Sequence, residues 1–271
     1  MCGSIAAPTC CRDVDSIFGQ GRQKIVVHAS ENNDNLVSRK QGTSAWPAGQ
    51  PGEWRQSKWL ALAELLVVAL IFVADAHHRI YFSKTPYLLL FGWASLWVRK
   101  IGWRGVGLRL YRDWKTSIAL GVAAGVLLEA LELFVTQPLL VKWLGKQPDL
   151  ETFQALHGNL KWTLVAIAGA WTLAAFGEEM VYRGYLMNRV ADLLNRTRTA
   201  WIVSLMAVHI GFGLAHAYQG VTGAIDEGLM GLLLGLIYLR TGRNLAVPII
   251  AHGVSDTIDF VLIFFGKYPG L

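Results

Sequence analysis

Long apolar segments dominate the chain after residue 58 and constrain its fold more than any other feature. Most of them approach the roughly 20 residues that an α-helix needs to cross a bilayer core. Lipid offers the backbone no hydrogen-bond partners, so such segments fold as helices. The sequence therefore predicts an all-α, polytopic transmembrane helix bundle of about seven spans, or eight if a re-entrant element is present. The segments are Trp59 to Ala76, Tyr87 to Val98, Ser117 to Trp143, Trp162 to Leu194, Ala200 to Tyr218, Leu229 to Leu239 and Leu245 to Phe265.

Composition agrees with a membrane protein and argues against a nucleic-acid partner. Hydrophobic residues make up 53% of the 271 residues and charged residues only 16%, whereas soluble domains carry about 25% charged residues. The net charge is +6, but the basic side chains are spread among loops and form no compact patch of the kind that binds nucleic acid. The lipid bilayer is the partner that this composition predicts.

Charge distribution along the chain predicts two regions and an orientation. Residues 1–57 are polar and are predicted to be a disordered cytoplasmic tail, followed by a transmembrane domain at 58–271. Basic residues concentrate in alternate loops, which the positive-inside rule places in the cytoplasm. The N-terminus is then cytoplasmic, in a multi-pass protein of the cell inner or plasma membrane. The richest loop contains Arg99, Lys100, Arg104, Arg109, Arg112 and Lys115.

Two adjacent carboxylates, Glu178 and Glu179, lie near the end of the apolar run of the fourth segment. Ionisable groups at membrane depth are costly and indicate function by default. On a helix, Glu179 and Arg183 are four residues apart and can pair, while Glu178 is turned by about 100° and is free to face a chamber. The alternative interpretation is a polar helix end whose charges reach the cytoplasmic interface.

Imidazoles and a further carboxylate lie on two later segments. His216 follows Phe212 by four residues, and His209 falls on nearly the same helical stripe. His252 precedes Asp256 by the same interval. Each residue alone is consistent with a hydrogen bond or an ion pair inside the bundle. Together with Glu178, they predict one central polar chamber built from three segments.

Such a chamber has the groups that hydrolysis requires. Glu178 could act as a base towards water, since partial desolvation raises the pKa of a carboxyl group, and histidines could donate to an oxyanion. Zinc is the other way to activate water, with Glu178, His216 and His252 as its ligands. The spacing of these residues does not decide between a glutamate base and a zinc ion. The sequence has no His-Glu-x-x-His motif and no Gly-x-Ser-x-Gly motif, the marks of other hydrolases.

These residues resemble the CPBP family of intramembrane endopeptidases, also called the Abi or CAAX-protease family. Its motif Glu-Glu-x-x-x-Arg matches Glu178, Glu179 and Arg183. Its motif Phe-x-x-x-His matches Phe212 and His216, and its motif of His followed four positions on by Asn or Asp matches His252 and Asp256. The three motifs occur in order on apolar segments, and the resemblance covers about residues 162–265.

The resemblance implies hydrolysis of peptide bonds in membrane-associated protein or peptide substrates, CAAX-type proteins among them. It implies that Glu178 and His216 activate water, that His252 and Asp256 stabilise the oxyanion, and that Glu179 and Arg183 support the site. CAAX-processing members carry Asn at the position of Asp256. An ionised Asp cannot donate a hydrogen bond, so Asp256 is protonated, binds a metal or instead orients His252.

Two other classes of function remain open from the sequence. One is a non-catalytic immunity or scaffold protein of the same fold. The other is a proton-coupled transporter, since intramembrane carboxylates and histidines also line ion pathways. The sequence shows no internal repeat, which many transporters have.

A simple seven-span arrangement conflicts with a shared site. At 1.5 Å per residue, His252 would lie roughly 10 Å from the cytoplasmic face and His216 roughly 24 Å from it. We therefore expect that the stretch Ala217 to Glu227 dips into the bundle, or that the sixth segment is short and tilted. Irregular backbone at this depth requires a cavity, and Gln219, Asp226 and Glu227 suit one.

Overall fold

The computed structural model describes residues 54–81 and 83–270, and this part of the chain is a helical bundle without strands. Each of the seven predicted segments is a helix. The predicted tail lies almost wholly outside the described residues. The helices are α1 (Lys58–Ala76), α2 (Lys84–Val98), α3 (Trp114–Leu144), α4 (Leu160–Leu193), α5 (Arg198–Ala215), α6 (Gly220–Arg240) and α7 (Ala246–Phe264).

Six helices in the described ranges are long and apolar enough to cross a membrane, and α2 is not among them. With 15 residues, α2 extends only about 22 Å, short of a hydrocarbon core about 30 Å thick. The predicted fold class is confirmed, with one full-length span fewer than the seven expected. The local sequence limits the length of α2. Ser83 caps its start by accepting a hydrogen bond from the Thr85 backbone N–H, and a charged pair, Arg99-Lys100, follows its end.

The third segment contains a proline that does not end the helix. Pro138 lies near the start of its last α-helical part, Gln137–Leu144, and a π-helical segment, Glu132–Thr136, comes directly before it. Proline lacks the N–H that would bond to the carbonyl of residue 134. The wider turn accommodates this gap, and the helix continues to Leu144, where Gly145 adopts a left-handed conformation.

The fourth segment departs from α-geometry over the residues of the first motif. Residues Ala170–Leu186 form a π-helical segment within α4. Such widened turns are frequent at functional sites. Glu179, Tyr182, Arg183 and Tyr185 are all buried there, which places the middle of α4 at the centre of the bundle.

The prediction of irregular backbone from Ala217 to Glu227 is wrong for most of this stretch. Only Ala217–Gln219 forms a 3-10 turn, and α6 is helical from Gly220. The sixth segment is therefore not short, since α6 has 21 residues. Asp226 and Glu227 interrupted the apolar pattern in the sequence, but they belong to this helix.

The helices α3 and α7 pack closely because α3 presents two glycines one turn apart. A Cβ atom on Gly121 would lie 2.5 Å from the Ile250 Cβ, and one on Gly125 would lie 2.5 Å from the Ala251 carbonyl oxygen and 2.7 Å from the Val254 Cβ. Glycines at this spacing let membrane helices approach closely. This contact holds α7, with His252 and Asp256, against α3.

A buried ion network joins α1, α2 and α4 at their adjoining ends. Glu64 accepts hydrogen bonds from Ser95 at 2.6 Å and from the Arg99 guanidinium at 2.7 to 3.1 Å. Arg189 on α4 lies 3.7 Å from the same carboxylate and 2.9 Å from Asp192. Because these charges are removed from water, each depends on the others for stabilisation.

We expect Gly125→Ala to destabilise the protein by about 1–3 kcal/mol, the usual effect of overpacking a tight contact. The control is Gly211→Ala on α5, where a new Cβ would meet nothing within 4 Å and where alanine favours the helix. Thermal unfolding in detergent compares the two variants. Equal stability of both would contradict the close α3–α7 packing.

Candidate functional site

A cavity of about 440 Å³ opens inside the bundle and is lined by α2, α3, α4, α6 and α7. Four sequence-predicted site residues line it: Glu178, His216, His252 and Asp256. Lys84 at the start of α2 lines it as well. The structure therefore brings carboxylates and imidazoles from three motifs to one space.

Glu179 lies behind this cavity and joins two of the motifs. Its Oε1 accepts a hydrogen bond from the Arg183 guanidinium at 2.6 Å and lies 2.9 Å from the His252 Nδ1. The side chains of Glu179 and Arg183 are both 0% exposed. The predicted pairing of Glu179 with Arg183 is present, and it extends to α7 through His252.

Arg183 is also fixed by groups outside the first motif. Its Nη2 donates to the Gly231 carbonyl on α6 at 2.8 Å, and its guanidinium lies 5.1 Å from the centre of the Phe212 ring. A buried guanidinium needs several acceptors, and a cation over an aromatic face is further stabilised. Arg183 thus connects α4 with α5 and α6.

The two nitrogens of His252 face two different carboxylates. Nδ1 faces Glu179, and Nε2 lies 3.5 Å from the Asp256 Oδ1. A carboxylate only accepts hydrogen bonds, so Nδ1 is the donor towards Glu179. The Nε2 contact is longer than an ordinary hydrogen bond, which leaves Nε2 available to a group in the cavity.

His216 is held at the C-terminal end of α5 by the phenylalanine of its own motif. Its Nδ1 donates to the Phe212 carbonyl oxygen at 2.9 Å, and the two rings lie 4.6 Å apart. Phe212 in turn packs edge-on against Tyr182, with ring centres 4.8 Å apart. This orientation leaves the His216 Nε2 as the ring atom free to contact water.

His209 has a different role from the one its stripe suggested. Its Nδ1 donates to the Leu205 carbonyl oxygen at 2.6 Å, and the residue is buried without lining the cavity. Its ring packs against Gly231 and Gly235 on α6, where a Cβ would lie within 2.4 to 3.2 Å of it. It is a packing residue between α5 and α6.

His216 and His252 line the same cavity, despite the different depths that a simple seven-span arrangement gives them. From His252, the lining continues through Asp256, Asp259 and Phe260 to Ile263, about 16 Å of helix at 1.5 Å per residue. The cavity therefore reaches from the level of His252 towards the opposite end of α7. His216 lines it without an irregular sixth segment.

Further polar residues line the cavity that the motifs did not reveal. Glu132 and Gln137 come from α3, Asp259 from α7, and Tyr268 from the segment after it. The pair Glu129 and Glu132 inside an apolar run could have indicated that α3 contributes to the cavity. Asp226, Glu227 and Gln219, which the sequence assigned to a polar cavity, do line it.

The predicted zinc ligands do not form a site ready for a metal. Within residues 54–81 and 83–270, no group of three or more His, Cys, Asp or Glu side chains is arranged to hold a metal ion. His252 in addition directs one nitrogen to Glu179. Zinc at Glu178, His216 and His252 stays a prediction, and no step below depends on it.

Residues 160–258 match the family model described as type II CAAX prenyl endopeptidase Rce1-like. The match confirms the predicted family resemblance over this stretch, which contains all three motifs and rather more than a third of the chain. Comparison with curated proteins found no match. Comparison with solved structures found none either.

We expect Arg183→Met to destabilise the protein by about 3–5 kcal/mol, because it leaves Glu179 buried without its cation. The control is Arg198→Met, which removes an exposed arginine at the start of α5. Thermal unfolding in detergent measures both.

A second variant tests the same pair by a double-mutant cycle. Glu179→Gln combined with Arg183→Met removes both charges and should be more stable than Arg183→Met alone. Strictly additive effects of the two substitutions would contradict the coupling.

Proposed function

We propose that the protein is an intramembrane endopeptidase in which Glu178 activates the attacking water. The observation that carries this proposal is the cavity itself, which places Glu178, His216 and His252 around one space inside a helical bundle. Glu178 comes from the first motif of a stretch that matches an endopeptidase family. A base, a water-orienting group and an oxyanion donor are what peptide hydrolysis requires.

The substrates that fit are membrane-associated proteins or peptides. The matching family is described as a CAAX prenyl endopeptidase family, so CAAX-type proteins are the first candidates. Lys84, Ser83 and Tyr218 line both the main cavity and a second cavity of about 780 Å³ bounded by α1 and α5. The two cavities adjoin at these residues, and in this proposal a substrate segment reaches Glu178 from the second cavity.

Glu178 and His216 prepare the water. The His216 Nδ1 donates to the Phe212 carbonyl, so its Nε2 accepts a hydrogen bond from water and orients it. The Glu178 carboxylate takes a proton as the water oxygen attacks the peptide carbonyl carbon. A general base of this kind contributes about 10²–10⁴-fold to a rate.

His252 stabilises the oxyanion that this attack creates. Because Nδ1 is anchored on Glu179, Nε2 keeps a fixed direction into the cavity. Donation to an oxyanion requires a proton on Nε2 as well as on Nδ1, and Asp256 lies 3.5 Å from Nε2 as a second carboxylate beside the ring. In this proposal, Asp256 acts through His252 and is not itself an oxyanion donor.

Glu178 passes on the proton that it takes from water. The carboxyl group formed in the first step donates its proton to the amide nitrogen as the carbon–nitrogen bond breaks. One product carries a new carboxylic acid, which passes its proton to the new amine of the other product, and Glu178 returns to its ionised form. Glu179 and Arg183 touch no reacting atom and serve as positioning residues.

The proposed location follows from the helices and the loop charges. The six long apolar helices indicate an integral, multi-pass membrane protein. A cytoplasmic N-terminus, as the positive-inside rule predicts, and an inner or plasma membrane location belong to the proposal.

We expect Glu178→Gln and His252→Gln each to lower peptide cleavage by at least about a hundredfold. The assay uses the full chain in proteoliposomes with a mixed library of membrane-anchored peptides, and mass spectrometry reads the products. The control is Glu151→Gln, which changes an exposed carboxylate outside the cavity.

Chelator is added in parallel, and cleavage should persist because the proposed base is a side chain. Cleavage lost with chelator and restored by zinc would favour the metal alternative. Folded wild-type protein that cleaves no peptide would contradict the proposal and favour a non-catalytic role.

A further inference from the structure

The lining of the main cavity is unusually acidic for the interior of a membrane bundle. Six carboxylates line the cavity, and the lining residues that can carry positive charge are Lys84, His216 and His252. Even with both histidines protonated, negative charge exceeds positive charge. We call the five carboxylates other than Glu178 the acidic wall, and they are Glu132, Asp226, Glu227, Asp256 and Asp259.

Four of these five carboxylates have no cationic partner. Among the described residues, only Asp256 of the acidic wall forms an ion pair, with His252. Asp226 instead accepts a hydrogen bond from the Thr136 hydroxyl at 2.6 Å, and Glu227 accepts one from the Gln219 amide at 3.1 Å. Neutral donors of this kind compensate a buried carboxylate only in part.

Several buried oxygen atoms of the acidic wall and of Gln137 have no hydrogen-bond donor at all. Among them are the Asp226 Oδ2, the Asp259 Oδ1 and the Gln137 Oε1. Asp226 and Gln137 are each only 2% exposed, and both line the cavity. Each of these atoms is an acceptor, so the group that this region lacks is a donor, and the surrounding charge favours a positive one.

Gln137 is oriented by a contact within the lining. Its Nε2 donates to the Tyr268 hydroxyl at 3.3 Å, and its remaining polar atom, Oε1, has no hydrogen-bond partner. Unlike a carboxylate, an amide oxygen does not take up a proton at neutral pH, so it always remains a hydrogen-bond acceptor. Shared protons among the carboxylates would therefore leave this acceptor unsatisfied.

We infer that the acidic wall, together with Gln137, is a subsite that binds the ammonium or guanidinium group of a lysine or arginine side chain of the peptide substrate. The inference rests on the proposed function, because it assigns a substrate preference to the same cavity. A lysine supplies three N–H donors and an arginine five, which matches a region that has several acceptors and fewer cations than carboxylates.

Geometry gives the position of this residue in the substrate. His252, Asp256 and Asp259 line the cavity along α7, and seven residues of helix from His252 to Asp259 correspond to about 10 Å. An extended peptide advances about 3.3 Å per residue. The cationic side chain therefore lies within about three residues of the bond that is cut.

The first experiment measures this preference in cleavage. Full-length protein in proteoliposomes is given peptides that differ only in Lys or norleucine at each position around the cut. We expect kcat/KM to be at least about tenfold higher for Lys within about three residues of the cut, which is about 1.4 kcal/mol. Cleavage with no preference for Lys at any position would overturn the inference and leave the proposed function standing.

Substitution in the acidic wall links the preference to these residues. In Asp259→Asn and in Asp226→Asn, the Lys-to-norleucine ratio should fall towards one, whereas Glu151→Gln should keep the wild-type ratio. Because each ratio is measured within one protein sample, partial loss of folded protein cancels. An unchanged ratio in both wall variants would overturn the subsite.

A binding measurement separates this inference from the catalytic proposal. Glu178→Gln protein in nanodiscs is titrated with fluorescent peptides that carry one Lys or one norleucine, and anisotropy reports binding. Tighter binding of the Lys peptide, weakened by Asp259→Asn, supports the subsite even if no peptide is cleaved by the wild type. Equal binding of the two peptides would contradict it.

Discussion

The site depends on one buried carboxylate, that of Glu179. Glu179 is fully buried on α4 and accepts hydrogen bonds from Arg183 on its own helix and from His252 on α7. Arg183 in turn reaches the Gly231 carbonyl and the Phe212 ring. A buried charge is tolerated only with such partners, so these groups must come together for the bundle to be stable. The same requirement fixes the direction of the His252 ring.

Around this ion pair, the bundle separates tight packing from open polar space. The α3–α7 contact through Gly121 and Gly125 brings backbones close on one side of α7. On another side, His252, Asp256 and Asp259 line the cavity. Because α7 is held rigidly by the first contact, its polar side chains have a defined place in the second. The proposed chemistry uses Glu178, His216 and His252 in this cavity, and the proposed side-chain subsite uses the acidic wall.

The sequence predicted the features that depend on local pattern. Apolar length predicted all seven helices, and the three motifs predicted the set of residues that lines one cavity and the Glu179–Arg183 pair behind it. These predictions worked because helix periodicity and the cost of charge in lipid act along a single segment. The family match over residues 160–258 agrees with the same motifs.

The sequence could not predict features that depend on contacts between segments. Asp226 and Glu227 were assigned to a polar cavity, which they do line, but their charges indicated irregular backbone where the chain forms the helix α6. The stripe shared by His209 and His216 did not reveal that His209 packs against glycines of α6. The contact of Glu179 with His252 joins residues 73 positions apart, and no local pattern indicates it.

The central claim is that His216 and His252 face one space. In a variant with Cys2, Cys10 and Cys11 replaced by serine, His216→Cys and His252→Cys are combined and treated in membranes with a short bifunctional thiol reagent. The account predicts an intramolecular cross-link between positions 216 and 252, read by mass spectrometry, and none when His209→Cys replaces His216→Cys. Labelling of both cysteines without a cross-link between them would contradict a shared site.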